Sequence, residues 1–223
     1  MGGRSTVARR VGPCAVAVAM ALTTGCGSLF SKATQAPSFY ALDSAPDESR
    51  SLPAPSSVNS PSAPTLIVNP SSAAAGFDSQ RMVYVRAAHV REYFAHSEWV
   101  DSPARMLAPL IVAAIEATGG FRAVVRSPSA AAGDMRLDTE IVRLEQDFTE
   151  TPSRVRFTLR AYLVDDATRS VIATREFDIS VTASSDDPRA GAIAANRAVQ
   201  DVLSRLASLC AEAAARRPRP AAG

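Results

Sequence analysis

Three consecutive stretches of the chain determine most of its sheet: MRLDTEIVRLEQDF at 135–148, RVRFTLRAYLVD at 154–165 and VIATREFDISVT at 171–182. In each of them apolar residues alternate with polar ones, which is the period of a β-strand that buries one face. Short turn segments separate the stretches, so consecutive strands are expected to pair as neighbours. We predict an antiparallel meander with one apolar face and one polar face.

The first of these stretches changes phase near its middle. Met135, Leu137 and Ile141 would lie on one face of a regular strand, whereas the later apolar residues Val142, Leu144 and Phe148 would lie on the other. One extra residue in a strand produces such a shift, because two residues then oppose one on the partner strand. The sequence therefore predicts a β-bulge between Ile141 and Val142.

Two segments predict amphipathic helices that begin at a proline. Asp101-Ser102-Pro103 and Asp186-Asp187-Pro188 each place capping residues directly before a proline at the first helical position. Gly119-Gly120 is a stop signal for the first helix. The second helix is expected to bury one apolar stripe, made of Ile193, Val199, Val202, Leu203, Leu206 and Leu209.

Shorter apolar runs predict the remaining strands. These are 66–68, then 81–86 and 89–94 joined by a tight turn, and 121–125 after the first helix. Two amphipathic helices beside a sheet with one polar face indicate an α+β fold. We expect a two-layer domain in which the helices pack on a mostly antiparallel, mixed sheet.

The N-terminus has the three parts of an export signal. Arg4, Arg9 and Arg10 precede the apolar run 11–22, which is shorter than a membrane-spanning helix, and small residues lead to Cys26. The segment Leu22-Thr23-Thr24-Gly25-Cys26 resembles a bacterial lipobox, although Thr23 stands where leucine is typical. By that resemblance Cys26 becomes the mature N-terminus and carries the acyl chains; the alternative is an ordinary secretory signal in which Cys26 is incidental.

The residue that follows the cysteine bears on the membrane. Gly27 stands there instead of the aspartate that retains such proteins in the inner membrane, so the resemblance implies the periplasmic face of the outer membrane. Once the leader and Cys26 are accounted for, Cys210 is the remaining thiol. It has no intramolecular disulfide partner and is expected to pack as a small apolar residue on the last helix.

Composition divides the chain into four parts. We expect a signal peptide at 1–25, then a lipidated N-terminus with a short strand near 38–43 and a Ser/Pro-rich tether at 26–64, a folded domain at 65–212 and a disordered basic tail at 213–223. The formal net charge of +2 comes from the three arginines of the leader. The mature chain is close to neutral, which argues against nucleic acid as a partner.

Residues for catalysis or for metal and cofactor binding are scarce. His89 and His96 are separated by seven positions, which places them on opposite faces of a regular strand and argues against a shared metal site. We find no glycine-rich phosphate loop and no nucleophile elbow in the sequence. The acid pairs Asp165-Asp166 and Asp186-Asp187 are explained by a turn and a helix cap. We expect no enzyme activity, no metal and no cofactor.

Two groups of side chains remain open to more than one interpretation. The arginines form either a solvated face opposite acidic residues or an anion-binding surface; these side chains are Arg154, Arg156 and Arg160, with Asp138, Glu140 and Glu145 opposite. The aromatic residues between 84 and 99 either fill the core or contact a partner or a lipid. The candidates for such a contact are Tyr84, Tyr93 and Trp99.

Several stretches in order resemble the auxiliary lipoproteins of ABC-type transporters, the family of paraquat-inducible protein C. After the lipobox these stretches are FYAL at 39–42, GFDSQRMVY at 76–84, EYFAHSEW at 92–99 and ANRA at 195–198. The resemblance covers roughly residues 38–210, and the Ser/Pro insert at 44–64 departs from the compact pattern.

This resemblance implies a non-enzymatic partner of a mammalian-cell-entry (MCE) protein, which shields lipids between the bacterial membranes. The lipoprotein would dock that conduit at the outer membrane, and a homo-oligomeric ring is an arrangement that the resemblance allows. Two other functions stay open at this point. One is a structural or regulatory lipoprotein that contacts another envelope machine, such as a cell-wall synthase, and the other is a periplasmic hydrolase that uses His89 or His96.

Overall fold

The computed structural model describes residues 2–3, 36–43 and 62–217, and its strands and helices all lie in the unit that begins at Pro37. The predicted lipidation at Cys26, most of the leader and most of the tether lie outside the described residues. Within the described residues, nine strands form one mixed sheet and two helices accompany it. In chain order these elements are β1 (Ser38–Tyr40), β2 (Thr65–Val68), β3 (Ser72–Ala73), β4 (Arg81–Ala87), β5 (Val90–Trp99), α1 (Pro103–Glu116), β6 (Ala123–Arg126), β7 (Met135–Asp147), β8 (Arg154–Asp165), β9 (Val171–Thr182) and α2 (Pro188–Arg216).

The three long strands β7, β8 and β9 form the predicted antiparallel meander. The pairing of β7 with β8 shifts between Ile141 and Arg143, which confirms the predicted bulge. Ile141 stands opposite Leu159 before the shift, and Leu144 stands opposite Phe157 after it. The extra residue therefore returns the apolar side chains of both halves of β7 to the buried face.

The other edge of β7 receives three separate strands, all parallel to it. From the beginning of β7 to its end these are β2, β3 and β4. Next to them, β6 pairs with β2, β5 forms an antiparallel hairpin with β4, and β1 adds to β5 in parallel. The fold is thus the expected α+β class, with a mixed sheet in which the longest pairings are antiparallel.

Helix α1 begins at Pro103 as predicted, but its cap differs from the expectation. Ser102 is the N-cap residue and its side chain makes no capping hydrogen bond. The Asp101 carboxylate accepts a hydrogen bond from the Ser102 amide at 2.7 Å instead. The helix ends at Glu116, and Gly119 adopts a φ of 64°, a left-handed conformation that glycine reaches without a steric penalty.

Helix α2 confirms its predicted cap and most of its predicted buried stripe, because four of the expected residues are buried, namely Val199, Val202, Leu203 and Leu206. The Asp187 side chain accepts a hydrogen bond from the Ala190 amide at 3.0 Å. Ile193, which we expected in the stripe, is 44% exposed, and small residues face the core instead. The reason is helix geometry: Ile193 lies six positions before Val199, which places it about 120° around the helix from that buried residue. The residue of this turn that faces β7 is Gly191, where a Cβ atom would lie only 2.1 Å from Oε1 of Gln146.

The C-terminal limit of the domain is also later than expected. Helix α2 runs to Arg216, and Ala213 and Ala214 are buried, so residues 213–216 are not a disordered tail. Arg217 donates a hydrogen bond to the carbonyl of Asp134 at 2.6 Å and forms an ion pair with Asp165 at 3.0 Å. The described end of the chain is therefore held on the β8–β9 turn.

The core lies between the sheet and the two helices. Helix α2 packs against β8, β9 and α1, and α1 packs against β6 and β3. The largest fully buried side chains come from both layers, among them Phe157, Leu66, Leu107, Ile111, Leu159 and Leu206. The rest of the structure is arranged around this two-layer core.

The two helix caps give a direct test of this geometry. Asp187→Ala should lower the free energy of unfolding by about 1 kcal/mol, because it removes a side-chain cap. Ser102→Ala should change it much less, because Ser102 makes no such bond. Urea denaturation of the two variants measures the difference, and equal losses would contradict the assigned caps.

The Asp187 cap should also depend on pH. Hydrogen bonds from the Ser185 hydroxyl and the Ala190 amide lower the pKa of Asp187 below its usual range. A carboxylate whose folded pKa is lowered stabilises the protein above its unfolded pKa, and that contribution is lost as the pH falls through the folded value. The difference in stability between wild type and Asp187→Ala should therefore be full at neutral pH and shrink in acid.

Candidate functional site

The N-terminal segment, residues 38–43, is the part of the domain nearest in sequence to Cys26. Its first residues form β1, in which Tyr40 pairs with Trp99 of β5. The amide of Val100 continues the ladder by donating to the carbonyl of Tyr40 at 2.8 Å. This segment is an edge strand of the sheet, and it fits the short strand predicted from the sequence.

Side chains from both helices hold the end of the N-terminal segment. Leu42 is buried in the core, and its amide lies 3.4 Å from the sulfur of Met106 on α1. Asn196 on α2 uses both ends of its side-chain amide: Oδ1 accepts from the Asp43 amide at 2.9 Å, and Nδ2 donates to the carbonyl of Ala41 at 2.9 Å. The Asn196 side chain therefore pairs with the backbone of the segment as a neighbouring strand would.

These contacts join two of the stretches that carry the family resemblance. FYAL at 39–42 and ANRA at 195–198 are far apart in the sequence, and Asn196 brings them together. Sequence reasoning did not identify Asn196 as a clamp. An asparagine in the middle of a predicted amphipathic helix was the signal that was available, because asparagine is a weak helix former.

We define the aromatic hairpin as strands β4 and β5. Its structure shows which of the aromatic residues between 84 and 99 are buried and which are exposed. Tyr84 is buried, with its ring centroid 4.6 Å from that of Phe94, and Trp99 is only 3% exposed. Neither side chain faces outward, so both are corrected from candidate contacts to core residues. Tyr93 is 41% exposed, and the guanidinium carbon of Arg81 lies 4.9 Å from the centroid of its ring.

The two histidines lie apart on this hairpin. His89 occupies the turn between β4 and β5 with a φ of 66°, and His96 is an exposed residue of β5. Within the described residues, no group of three or more His, Cys, Asp or Glu side chains is arranged to hold a metal ion. Among these residues, neither histidine therefore belongs to such a group.

The arginine face of β8 is neutralised by its neighbours. Arg156 forms an ion pair with Asp147 at 3.2 Å, and Arg160 contacts both Glu140 and Glu176. Arg154 pairs with Glu150 at 3.4 Å. These pairings favour the solvated face over an anion-binding surface, because the carboxylates occupy the positions that an anion would take.

Two of the acidic residues on this face have other partners than the sequence suggested. Asp138 accepts a hydrogen bond from the side-chain amide of Asn69 at 2.6 Å. Glu145 stands opposite Arg156 in the register, yet it is paired with Arg91 at 3.0 Å and with Arg143 at 3.6 Å. The contact with Arg91 ties the aromatic hairpin to the central strand β7.

The pKa of Asp147 reflects the same network. Burial alone would raise it, but hydrogen bonds from the hydroxyl and amide of Thr149, together with the charges of Arg156 and Arg143, lower it below its usual value. A carboxylate held in this way is a stable anion and a poor general acid. This argues for a structural role of Asp147.

Gln146 is the one buried side chain that the structure leaves partly unsatisfied within the described ranges. Its Nε2 donates to the Ser153 hydroxyl at 2.9 Å, whereas its Oε1 accepts no hydrogen bond from the described residues. A cavity of about 10 Å³ lies beside it, lined by Gly191, Trp99 and their neighbours. That volume is about what one water molecule needs, and it is too small for a lipid or a cofactor.

Comparison with known proteins identifies the family. The model of the ABC-type transport auxiliary lipoprotein component matches residues 48–207 of this chain. This chain belongs to that family. The resemblance found in the sequence is confirmed, and the protein is an auxiliary lipoprotein of an ABC-type transport system. A comparison with curated proteins found no significant match to the sequence.

Solved structures agree with this assignment. Protein XCC0632 from Xanthomonas campestris, of the family DUF330, is 26% identical, with a TM-score of 0.62 over 67% of this chain and 85% of that one. A second structure, of a protein described as uncharacterized, has a TM-score of 0.60 at 12% identity and covers 79% of this chain and 99% of that one. At that identity the second likeness concerns the fold alone. Among the described residues, no helix is long and apolar enough to cross a membrane.

The Asn196 clamp can be tested by local hydrogen exchange. Asn196→Ala removes the acceptor of the Asp43 amide and the donor to Ala41, so amide exchange in residues 38–43 should become about tenfold faster or more. The exposed neighbour Arg197, changed to alanine, is the matched control. Mass-spectrometric exchange that is unchanged in Asn196→Ala, or equally faster in both variants, would contradict the clamp.

Cys210 gives a test of the packing of α2. Burial raises the pKa of its thiol to about 12, so it should be almost entirely protonated and unreactive at neutral pH. In a full chain that carries Cys14→Ser and Cys26→Ser, Ellman's reagent should label Cys210 only after unfolding. Adding Ser208→Cys, at an exposed position of the same helix, should give rapid labelling in the folded state.

Proposed function

We propose that this protein is anchored by lipids on the periplasmic face of the outer membrane, where it docks the periplasmic conduit of an MCE-type ABC transport system that moves lipids between the membranes. The observation that carries the proposal is the family match over residues 48–207 in a chain that also has a lipobox-like segment at 22–26. Membership of the family indicates a role beside an ABC transporter, and the lipobox-like segment indicates a lipid anchor at Cys26.

The chemistry of the described domain supports a docking role. The clusters of charged residues on the sheet neutralise one another, and the acid pairs hold a turn and a helix cap. The cavity beside Gln146 is too small for a transported lipid. A protein of this kind contributes surfaces to a transport system, whereas the lipid path belongs to its partners.

The sheet also offers an edge for assembly. Within the described structure β9 pairs with β8 alone, and it runs for 12 residues from Val171 to Thr182. An unpaired strand edge of that length exposes backbone N–H and C=O groups, with which a strand of another chain can form hydrogen bonds. In the proposed homo-oligomeric ring, β9 is the edge that we expect to meet a second copy. Light scattering of the detergent-solubilised protein measures the mass of such an assembly.

The anchor is tested by two cysteine substitutions. Cys26→Ala should leave the protein unprocessed or release it from the outer membrane, because the acylated residue is absent. Cys14→Ala, within the same leader, should leave fractionation unchanged and serves as the control. Outer-membrane fractionation that persists in Cys26→Ala would show that the lipobox interpretation is wrong.

The partner is tested by affinity purification from detergent-solubilised envelopes. The tagged protein should enrich an MCE protein, while a tagged, unrelated outer-membrane lipoprotein should not. Repeated purifications without an MCE protein would refute the docking proposal. Enrichment of a cell-wall synthase in its place would favour the structural or regulatory function instead.

A further inference from the structure

An exposed patch of aromatic and aliphatic side chains lies at the β1 edge of the sheet. Phe39 is 58% exposed, and Val100, whose amide bonds to β1, is 49% exposed. The exposed ring of Tyr93 and the guanidinium of Arg81 complete the group. We call these four residues the edge patch.

The strand register places these side chains on one face. Phe39 of β1 is the partner of Glu98 on β5, and Glu98 is in turn the partner of Arg81 on β4. Residues that are partners in neighbouring strands point to the same side of a sheet. Arg81 also covers the Tyr93 ring, so the row from Phe39 to Tyr93 is continuous across three strands.

This composition matches a membrane interface better than a water-exposed edge. Single apolar side chains on a surface are ordinary, but here a phenylalanine and a valine stand beside an arginine–tyrosine pair. Tyrosine and arginine have apolar bodies and polar ends, which suit the headgroup region of a bilayer. Phenylalanine supplies apolar area that can enter the acyl boundary. Glu98, which is partly buried, is the acidic residue of this row.

The position of Phe39 in the chain indicates which surface it meets. β1 is the first described strand after Cys26, and residues 27–37 can extend over about 40 Å at most. An anchor at Cys26 would therefore keep β1 close to the bilayer. β9, at the other edge of the sheet, is separated from β1 by five strand spacings, or roughly 24 Å.

We propose that the edge patch is a membrane-contact surface, in which Phe39 and Val100 enter the interface of a phospholipid bilayer while Arg81 and Tyr93 lie among the headgroups. This inference rests on the proposed anchor at Cys26. It adds a second contact, made by the folded domain itself, that fixes the orientation of the domain on the membrane.

The test measures quenching of tryptophan by brominated lipids. A chain that begins at Cys26 keeps every described strand and helix, and its thiol can be coupled to a maleimide lipid in vesicles of phosphatidylethanolamine and brominated phosphatidylglycerol. Cys210 does not compete, because it is buried. Chemical coupling makes the result independent of acylation in the cell, which the Cys26→Ala fractionation reports separately.

Phe39→Trp should be quenched about threefold more strongly than Ile172→Trp, a matched control at a 42% exposed position of β9. Buried Trp99 is a common background in both proteins. Val100→Trp is a second probe and should behave like Phe39→Trp, and adding Arg81→Glu to either probe should reduce its quenching. If tryptophans at 39 and 100, in variants that melt like the wild type, are quenched no more than the one at 172, the inference is overturned.

Discussion

The rest of the structure depends on the pairing of β7 with other strands along both of its edges. This strand presents one edge to β8 over its whole length and the other edge to β2, β3 and β4 in succession. A regular strand of this length would turn Leu144 and Gln146 away from the helices. The bulge after Ile141 reverses that parity, so both ends of β7 contribute to one core. The hairpin of β4 and β5, and through it β1, depends on the second half of β7.

Sequence patterns predicted those parts of the fold that depend on residues close together in the chain. The alternation in β7, β8 and β9 and the cap of α2 at Asp187 are examples, because each depends on neighbouring residues. The parallel pairings of β7 were not predictable in the same way. β2 and β7 are far apart in the sequence, and no residue pattern in Leu66–Val68 indicates which strand β2 pairs with.

The errors on individual side chains have physical causes as well. Ile193 was expected in the core because it is apolar, but it lies six positions before Val199 and therefore on a different side of α2 from the buried stripe. Tyr84 was open to either interpretation until its register with Gln146 placed it on the helix side of the sheet. Asn196 was missed because its value comes from backbone groups more than 150 positions away.

The docked N-terminal segment sets how far the domain can stand from its proposed anchor. While Asn196 and β5 hold residues 38–43, the sequence between Cys26 and the held segment is limited to residues 27–37. If the segment were to detach, the connection would extend to residue 64, directly before β2 begins at Thr65, and its limiting reach would rise from about 40 Å to about 130 Å. Two side-chain hydrogen bonds and three residue pairs between β1 and β5 would thus determine whether the connection to the anchor is short or long. The distance that the domain can reach from its proposed anchor would then depend on the strength of a single edge strand.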